Sequence, residues 1–327
     1  MKQILFSLFF IALLVPVSAA GKKFEFEFTE RVRYINWNNA IDLEGEFNDR
    51  FSFTRHRTSV SFRFRPAEKL SFNVKLTNEN RIYFRPENRD FNIHEIFFDQ
   101  LNIQFKKLFG LPLTLTIGRQ NIVLGEGFLV LDANPLDGSR SIYFNAVRGD
   151  YHFNKFHKLT AFYAYQEEND NYLPIINSKD QMMIEQPEEG LGLYYSGLFS
   201  GKRLEVYFIR KNIKSNDSNS ISHGINTVGL RTVLPIRKRL SLTAEGAFQS
   251  GYIRSLYSYD QKRRAFGGYF HLDYRLNDNK LSPVLTLGGF YLSGDKLSTD
   301  NYEAWDPLFS RWPKWSESYI YTMIKEH

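Results

Sequence analysis

The chain has 327 residues, a formal net charge of +6 from 42 Lys+Arg against 36 Asp+Glu, 43% hydrophobic residues, and no cysteine. The missing cysteine excludes disulfides, thiolate metal sites and thiol nucleophiles, and suits a chain that crosses an oxidising compartment. Acids interleave with the bases along the whole sequence, and basic and aromatic residues fall on opposite faces of the same segments, which argues against a nucleic-acid interface.

The first segment, MKQILFSLFFIALLVPVSAAG, has one lysine, an apolar run from Ile4 to Val15 and small residues before Gly21. The run is too short to span a bilayer as a helix. Residues 1–20 are therefore expected to be a secretory signal peptide, with residues 21–327 as the folded chain.

From there the sequence reads as strands with period-two alternation. FEFEFTERVRY sets Phe24, Phe26, Phe28, Val32 and Tyr34 against Glu25, Glu27, Thr29, Arg31 and Arg33. RFSFTRHRTSVSFRFRP sets Arg55, Arg57, Ser59, Ser61 and Arg63 against His56, Thr58, Val60, Phe62 and Phe64, with Phe51 and Phe53 on the arginine parity; a bulge or an extracellular start to the strand accounts for those two. LSFNVKLTNENR sets Leu70, Phe72, Val74 and Leu76 against Ser71, Asn73, Lys75, Thr77, Glu79 and Arg81. Further strands are expected near 94–105, 113–121, 142–153, 158–168, 190–199, 204–212, 223–234, 239–251, 264–275, 281–293 and 318–326, about fourteen in all.

Short gaps such as PAEK, NKFH, SGKR and PIRK alternate with long ones such as 38–50, 122–141, 169–189 and 294–317. Short turns at one end and long loops at the other are the pattern of an outer-membrane barrel. In hydrocarbon every backbone polar group must be paired, so a spanning sheet closes on itself. The apolar faces then meet lipid. The faces holding Arg, Lys, Glu, Asn, Ser and Thr line a water-filled lumen, because a small soluble barrel would fill its centre with apolar side chains instead.

Gly118-Arg119-Gln120, Leu124-Gly125-Glu126-Gly127, Arg140 and Phe144-Asn145-Ala146-Val147-Arg148, followed in order by NTVGLR, AEGAFQSG, YLSGD and DPLFSRWP, resemble the alginate export family of outer-membrane porins. The resemblance covers most of the chain after residue 21. It implies an all-β, up-and-down transmembrane barrel similar to an 18-stranded cylinder, of which about fourteen strands are visible, so the chain reads as C-terminally shortened or as a smaller closed barrel. Asn145 stands where the family has Asp, which removes one luminal carboxylate.

The candidate pore-lining, anion-selecting residues are Arg31, Arg33, Arg55, Arg57, Arg63, Lys75, Arg119, Arg140, Arg148 and Arg231. Rings of basic side chains select anions, and guanidinium pairs with carboxylates in a fork geometry at any relevant pH. The bland alternative is that many of them pair with luminal acids such as Glu25, Glu27, Glu79, Glu95 and Glu245 and only brace the wall. The long loops DANPLDGSR and NDNYLPIINSKDQMMIEQPEE are either ordinary surface loops or a plug, the second carrying the acids Asp180, Glu185, Glu188 and Glu189. Seven scattered histidines show no helical metal spacing, and no Gly-x-Ser-x-Gly is present, so neither catalysis nor a cofactor is expected. The sequence thus reads as an outer-membrane channel passing an anionic polysaccharide such as a polyuronate. Lipid and lipopolysaccharide would surround it, with periplasmic secretion components as candidate partners. The alternatives are a general or organic-acid porin of the same fold, and an adhesion barrel working through its loops.

Overall fold

The computed structural model describes residues 23–37, 50–87, 89, 95–131, 143–176, 184–255 and 260–310. Thirteen strands follow one another as antiparallel neighbours in chain order. They are β1 (Phe24–Trp37), β2 (Phe51–Ala67), β3 (Leu70–Arg85), β4 (Ile96–Phe105), β5 (Leu113–Gln120), β6 (Phe144–His152) and β7 (His157–Gln166), then β8 (Glu188–Phe199), β9 (Lys202–Ile213), β10 (Ile221–Arg237), β11 (Leu240–Ser255), β12 (Gln261–Arg275) and β13 (Val284–Leu292). Each is one of the expected strands, with ends displaced by a few residues at most.

The fourteenth strand differs from the expectation. It is β14 (Asn301–Tyr302), which runs parallel to β12 at Lys262 and Arg263. The segment near 318–326 lies outside the described residues. The alternation of gap lengths also has an exception: the β11–β12 connection is only 256–260, while β12–β13 takes 276–283. β11 and β12 extend further at their shared loop end than the sequence pattern implies, and so shorten that loop.

Burial is inverted relative to a soluble sheet, and the inversion follows the period-two pattern. On β1 and β2 the apolar residues Phe24, Phe26, Phe28, Val32, Tyr34 and Phe62 are exposed on the outer face, while Arg55 and Arg57 are buried at 3% and 5% on the inner one. The same holds at Val206, Val228, Leu230, Phe248, Phe266 and Phe270 outside against Thr227, Arg231, Gln249 and Arg263 inside. In water such an outer face would be unstable and sticky; in a bilayer it is the favourable one. No helix among the described residues is long and apolar enough to cross a membrane.

The two phenylalanines on the arginine parity lie beside a bulge. The β2–β3 register slips between Ser52 and Phe53, both of these residues are buried, and Phe53 packs inside against Tyr83, ring centroids 5.0 Å apart. The extra residue of that bulge is Phe84 on β3, so Phe53 keeps the arginine face while Ser52 meets the Tyr34 hydroxyl on the outer one at 2.9 Å. Glu30 interrupts the apolar band on β1: it meets His56 Nδ1 at 3.3 Å and accepts from the Thr58 hydroxyl on the outer face.

Candidate functional site

The inner surface divides into two walls. On the first, built by β1–β4, successive rows across the sheet read Arg33–Arg55–Arg81 and Arg31–Arg57–Glu79. Directly opposite residues on one sheet face have Cβ atoms about 5 Å apart, and like charges there repel. The rows therefore concentrate five guanidinium groups against one glutamate. Glu79 takes Arg55 Nε on one oxygen and Arg57 on the other, the latter at 3.4 Å. Asp99 adds a second carboxylate, 2.8 Å from Lys75 Nζ and 3.8 Å from Arg57. It reaches them because the β3–β4 register slips between Lys75 and Leu76, a bulge that turns Asp99 inward. Arg31 and Arg33 remain half-buried on this wall. At its short-turn end Arg63 and Arg65 share Glu25, with Arg63 NH1 at 3.2 Å.

Between the walls, Arg119 of β5 is 2% exposed and fully engaged. Its two terminal nitrogens lie 3.1 and 2.5 Å from the two oxygens of Asp170, its Nε donates to Asn145 Oδ1 at 3.1 Å, and its guanidinium stacks over the Tyr143 ring. The departure at Asn145 thus has a structural counterpart. The carboxylate for Arg119 comes from the β7–β8 connection, and the Asn145 amide uses its second group to donate to Gln166 Oε1 at 3.2 Å. Gly118 has φ +115, and a Cβ there would sit 2.4 Å from the Leu101 carbonyl, so the motif's glycine permits the close ladder to β4.

The second wall, β8–β12, is covered by two chain segments that fold into the lumen: 121–131 after β5, and 303–310 after β14. They meet each other. Phe309 N donates to Leu129 O at 2.9 Å, Ser310 Oγ donates to Gly127 O at 2.6 Å, and Trp305 stacks on Phe128 at 5.3 Å. Together with Phe144, Phe162, Tyr194, Tyr207, Ile209, Ile225 and Tyr269 they form one apolar cluster inside the sheet. Glycines on the wall make the room: a Cβ at Gly190 would fall 2.3 Å from the Phe309 ring, and one at Gly267 would fall 2.8 Å from Trp305.

Both segments are clamped to the wall by polar groups. The tip of the first is Gly125-Glu126-Gly127, where Gly125 takes φ +59 beside Tyr194 and Arg231. Glu126 accepts from Arg231 NH2 at 2.8 Å and from the Tyr269 hydroxyl at 3.1 Å, and lies 3.3 Å from His271 Nε2. Arg231 also reaches Glu205 at 2.6 Å and Glu245 at 3.8 Å, so three carboxylates enclose one guanidinium. The second segment is held by Gln249, whose amide donates to Asp306 O at 2.7 Å and whose oxygen accepts from Asp306 N at 3.0 Å. Lys211 Nζ donates to Leu308 O at 2.6 Å and Arg263 NH1 to Ala304 O at 2.6 Å. Burial alone would raise the Asp306 carboxyl, but Lys211 and Arg263 override it and hold it below the usual carboxylate range.

The sequence candidates therefore separate. Arg31, Arg33, Arg55, Arg57 and Lys75 share the first wall with Glu79. Glu95 stands at the head of β4, where its backbone carbonyl accepts from Asn78 Nδ2 at 2.6 Å. Arg63 lies lower on the same wall. Arg119 and Arg231 are enclosed in carboxylates, Arg231 together with Glu245. Arg148 pairs with Asp150 at 2.9 Å, and Arg140 lies outside the described residues. Asp99, Asp170, Glu205, Lys211 and Arg263 were not singled out from sequence, although strand parity puts Glu205, Lys211 and Arg263 inside. Fully buried charges among the described residues are nearly balanced: Arg55, Arg57, Arg119, Lys211, Arg231 and Arg263 against Glu79, Asp99, Asp150, Asp170, Glu188, Glu205 and Glu245. A basic excess is local to the first wall.

Comparison with known proteins adds one assignment. The alginate export family profile matches residues 26–323. Among solved structures, OccAB3 of Acinetobacter baumannii aligns with a TM-score of 0.49 and 12% identity over 83% of this chain and 67% of that one. OprB of Pseudomonas putida aligns with a TM-score of 0.41 and 11% identity over 78% and 76% of the respective chains. No curated protein sequence matches the chain.

Proposed function

The chain belongs to the alginate export family of bacterial outer-membrane channels, and on that premise we propose that it passes an anionic solute, with a polyuronate chain as the best-fitting class, along the β1–β4 wall. One observation carries the reading: the rows Arg33–Arg55–Arg81 and Arg31–Arg57–Glu79 set like charges side by side. That arrangement repels itself in the empty protein and is relieved by an anion. A polyuronate presents a carboxylate on every sugar, and adjacent guanidinium groups can hand it from one to the next by fork-like hydrogen bonds. The low-dielectric wall around them strengthens the field in the lumen. Passage is passive, and the chain's own residues bind and steer without a chemical step.

Lys75, Arg55 and Arg57 share their charge with Glu79 and Asp99, and the five arginines of the two rows act together in the selection. Arg119 and Arg231 act as braces. Planar-bilayer recordings test this. The protein should show a reversal potential of anion-selective sign in a salt gradient, and an oligogalacturonate should block the current where a maltodextrin of equal length does not. Cation selectivity, or equal block by both sugars, would refute the reading.

A further inference from the structure

Below the tip of the first in-folded segment the lumen holds a polar recess of about 250 Å³, bounded by Val123, Leu124 and Gly125 on one side and by the β6–β7 and β8–β9 ends on the other. Short turns mark the periplasmic mouth of an outer-membrane barrel, and His152, Asn154, Lys155, Phe156 and His157 belong to or flank such a turn. We propose that this recess is a docking station for the leading acidic sugar of the solute at the periplasmic mouth, a binding site separate from the arginine rows. It rests on the channel reading above.

Charge, size and surface support the assignment. Lys155, Lys158 and Arg203 line the recess, and its one acidic lining residue is Glu205. Glu205 is already saturated: it accepts from the Tyr194 hydroxyl at 2.8 Å, Ser196 Oγ at 3.0 Å and Arg231 NH1 at 2.6 Å. Lys158 is partly offset by Asp150 at 3.8 Å and Arg203 by Glu205 at 3.9 Å, with Arg203 NH1 also donating to Ser196 Oγ at 3.2 Å, so Lys155 adds the least compensated charge. Lys155 stands over the Phe156 ring, 4.8 Å from its centroid, with Phe156 half-exposed. An ammonium beside an open aromatic face suits a ring that carries both a carboxylate and C–H faces. The volume of about 250 Å³ falls just below the roughly 300–1,000 Å³ typical of small-molecule sites, so it holds one sugar ring rather than an oligomer. The segment 121–127 closes the far side, and a chain docked here would be presented to the lumen end first.

The test uses the full chain in a planar bilayer with oligogalacturonate added to one side at a time. Side is identified by the orientation of insertion. For Lys155→Gln combined with Lys158→Gln, the two lysines that line the recess, the blocking on-rate from the short-turn side should fall by about tenfold, the lower end of electrostatic steering, while block from the loop side is unchanged. Arg203→Gln, tested separately, should lower the same on-rate. An on-rate unchanged from the short-turn side in both variants, or reduced equally from both sides, would overturn the docking station and leave the anion channel standing. Absence of block in the wild-type protein would overturn the channel reading and the docking station with it.

Discussion

The β1–β4 wall and the β8–β12 wall face one lumen and use arginine in opposite ways. On the first, Arg31, Arg33, Arg55, Arg57 and Arg81 neighbour one another across three strands, with Arg55 and Arg57 on Glu79 and Arg57 also near Asp99. On the second, Arg231 is alone and is enclosed by Glu126, Glu205 and Glu245, with Tyr269 donating and accepting around it. The same residue type is a source of field where arginines neighbour one another in rows and a structural bolt where carboxylates flank it on both sides. Residue type and strand parity are identical in the two cases, so only the cross-strand register and the in-folded segments separate them.

The contrast is broken most severely by Arg231→Met. The buried Glu205 and Glu245 and the half-buried Glu126 would lose their shared cation, and breaking a buried ion pair from one side costs about 3–5 kcal/mol. Denaturant unfolding of the detergent-solubilised protein should show a loss of that size, and segment 121–131 should become open to protease. By the same measure, Arg31→Gln should cost less than Arg231→Met, because it also relieves repulsion from Arg33, Arg57 and Arg55.

Phe309→Ala is the next largest. It removes an aromatic anchor from the seam between the two in-folded segments and leaves a void opposite Gly190, at a cost of about 3 kcal/mol. Single-channel conductance should rise as the 303–310 segment loosens; unchanged conductance would mean that the segment does not narrow the path.

Acid offers a milder lever on the same segment. The Asp306 pKa lies below its ordinary value, so the stabilisation from its ion pairs is complete above the ordinary carboxylate range and is lost only as pH falls through the lower, folded value. Conductance should therefore stay level down to about pH 3.9, the usual Asp value, and rise beneath it. Asp306→Asn should show the raised conductance at neutral pH. The smallest effect is expected of Asn145→Asp. Arg119 already holds Asp170 on two nitrogens, so selectivity should not move, and stability should change by less than about 1 kcal/mol.

Much of the fold was readable because the bilayer enforces alternation on every strand. Phe26, Glu27 and Phe28 announce their faces without knowledge of their partners. Thirteen strands and their order followed from that rule and from the connections. The division of labour among the arginines did not follow, because it depends on register. Arg57 meets Glu79 only in the observed pairing, and Asp99 enters the lumen through a bulge with no local signature. The in-folded segments were hidden for a related reason. Ile122, Phe128, Trp305 and Phe309 look like loop residues, and the glycines that receive them, Gly190 and Gly267, look like strand irregularities. The quoted motifs hold the clue in retrospect: Leu124-Gly125-Glu126-Gly127, NTVGLR, AEGAFQSG and DPLFSRWP supply Glu126, Arg231, Glu245, Gln249 and Asp306, which are the clamps of both segments.

The central claim is that the arginine rows of the first wall, and not the net charge of the chain, make the channel prefer anions. Reversal potentials in a salt gradient decide it when Arg31→Gln/Arg33→Gln is compared with wild type and with Lys238→Gln, a surface lysine in the β10–β11 turn. The account predicts that the paired ladder substitution moves the reversal potential toward cation selectivity while Lys238→Gln leaves it in place. Equal shifts in both variants, or no shift in the ladder variant, would contradict it.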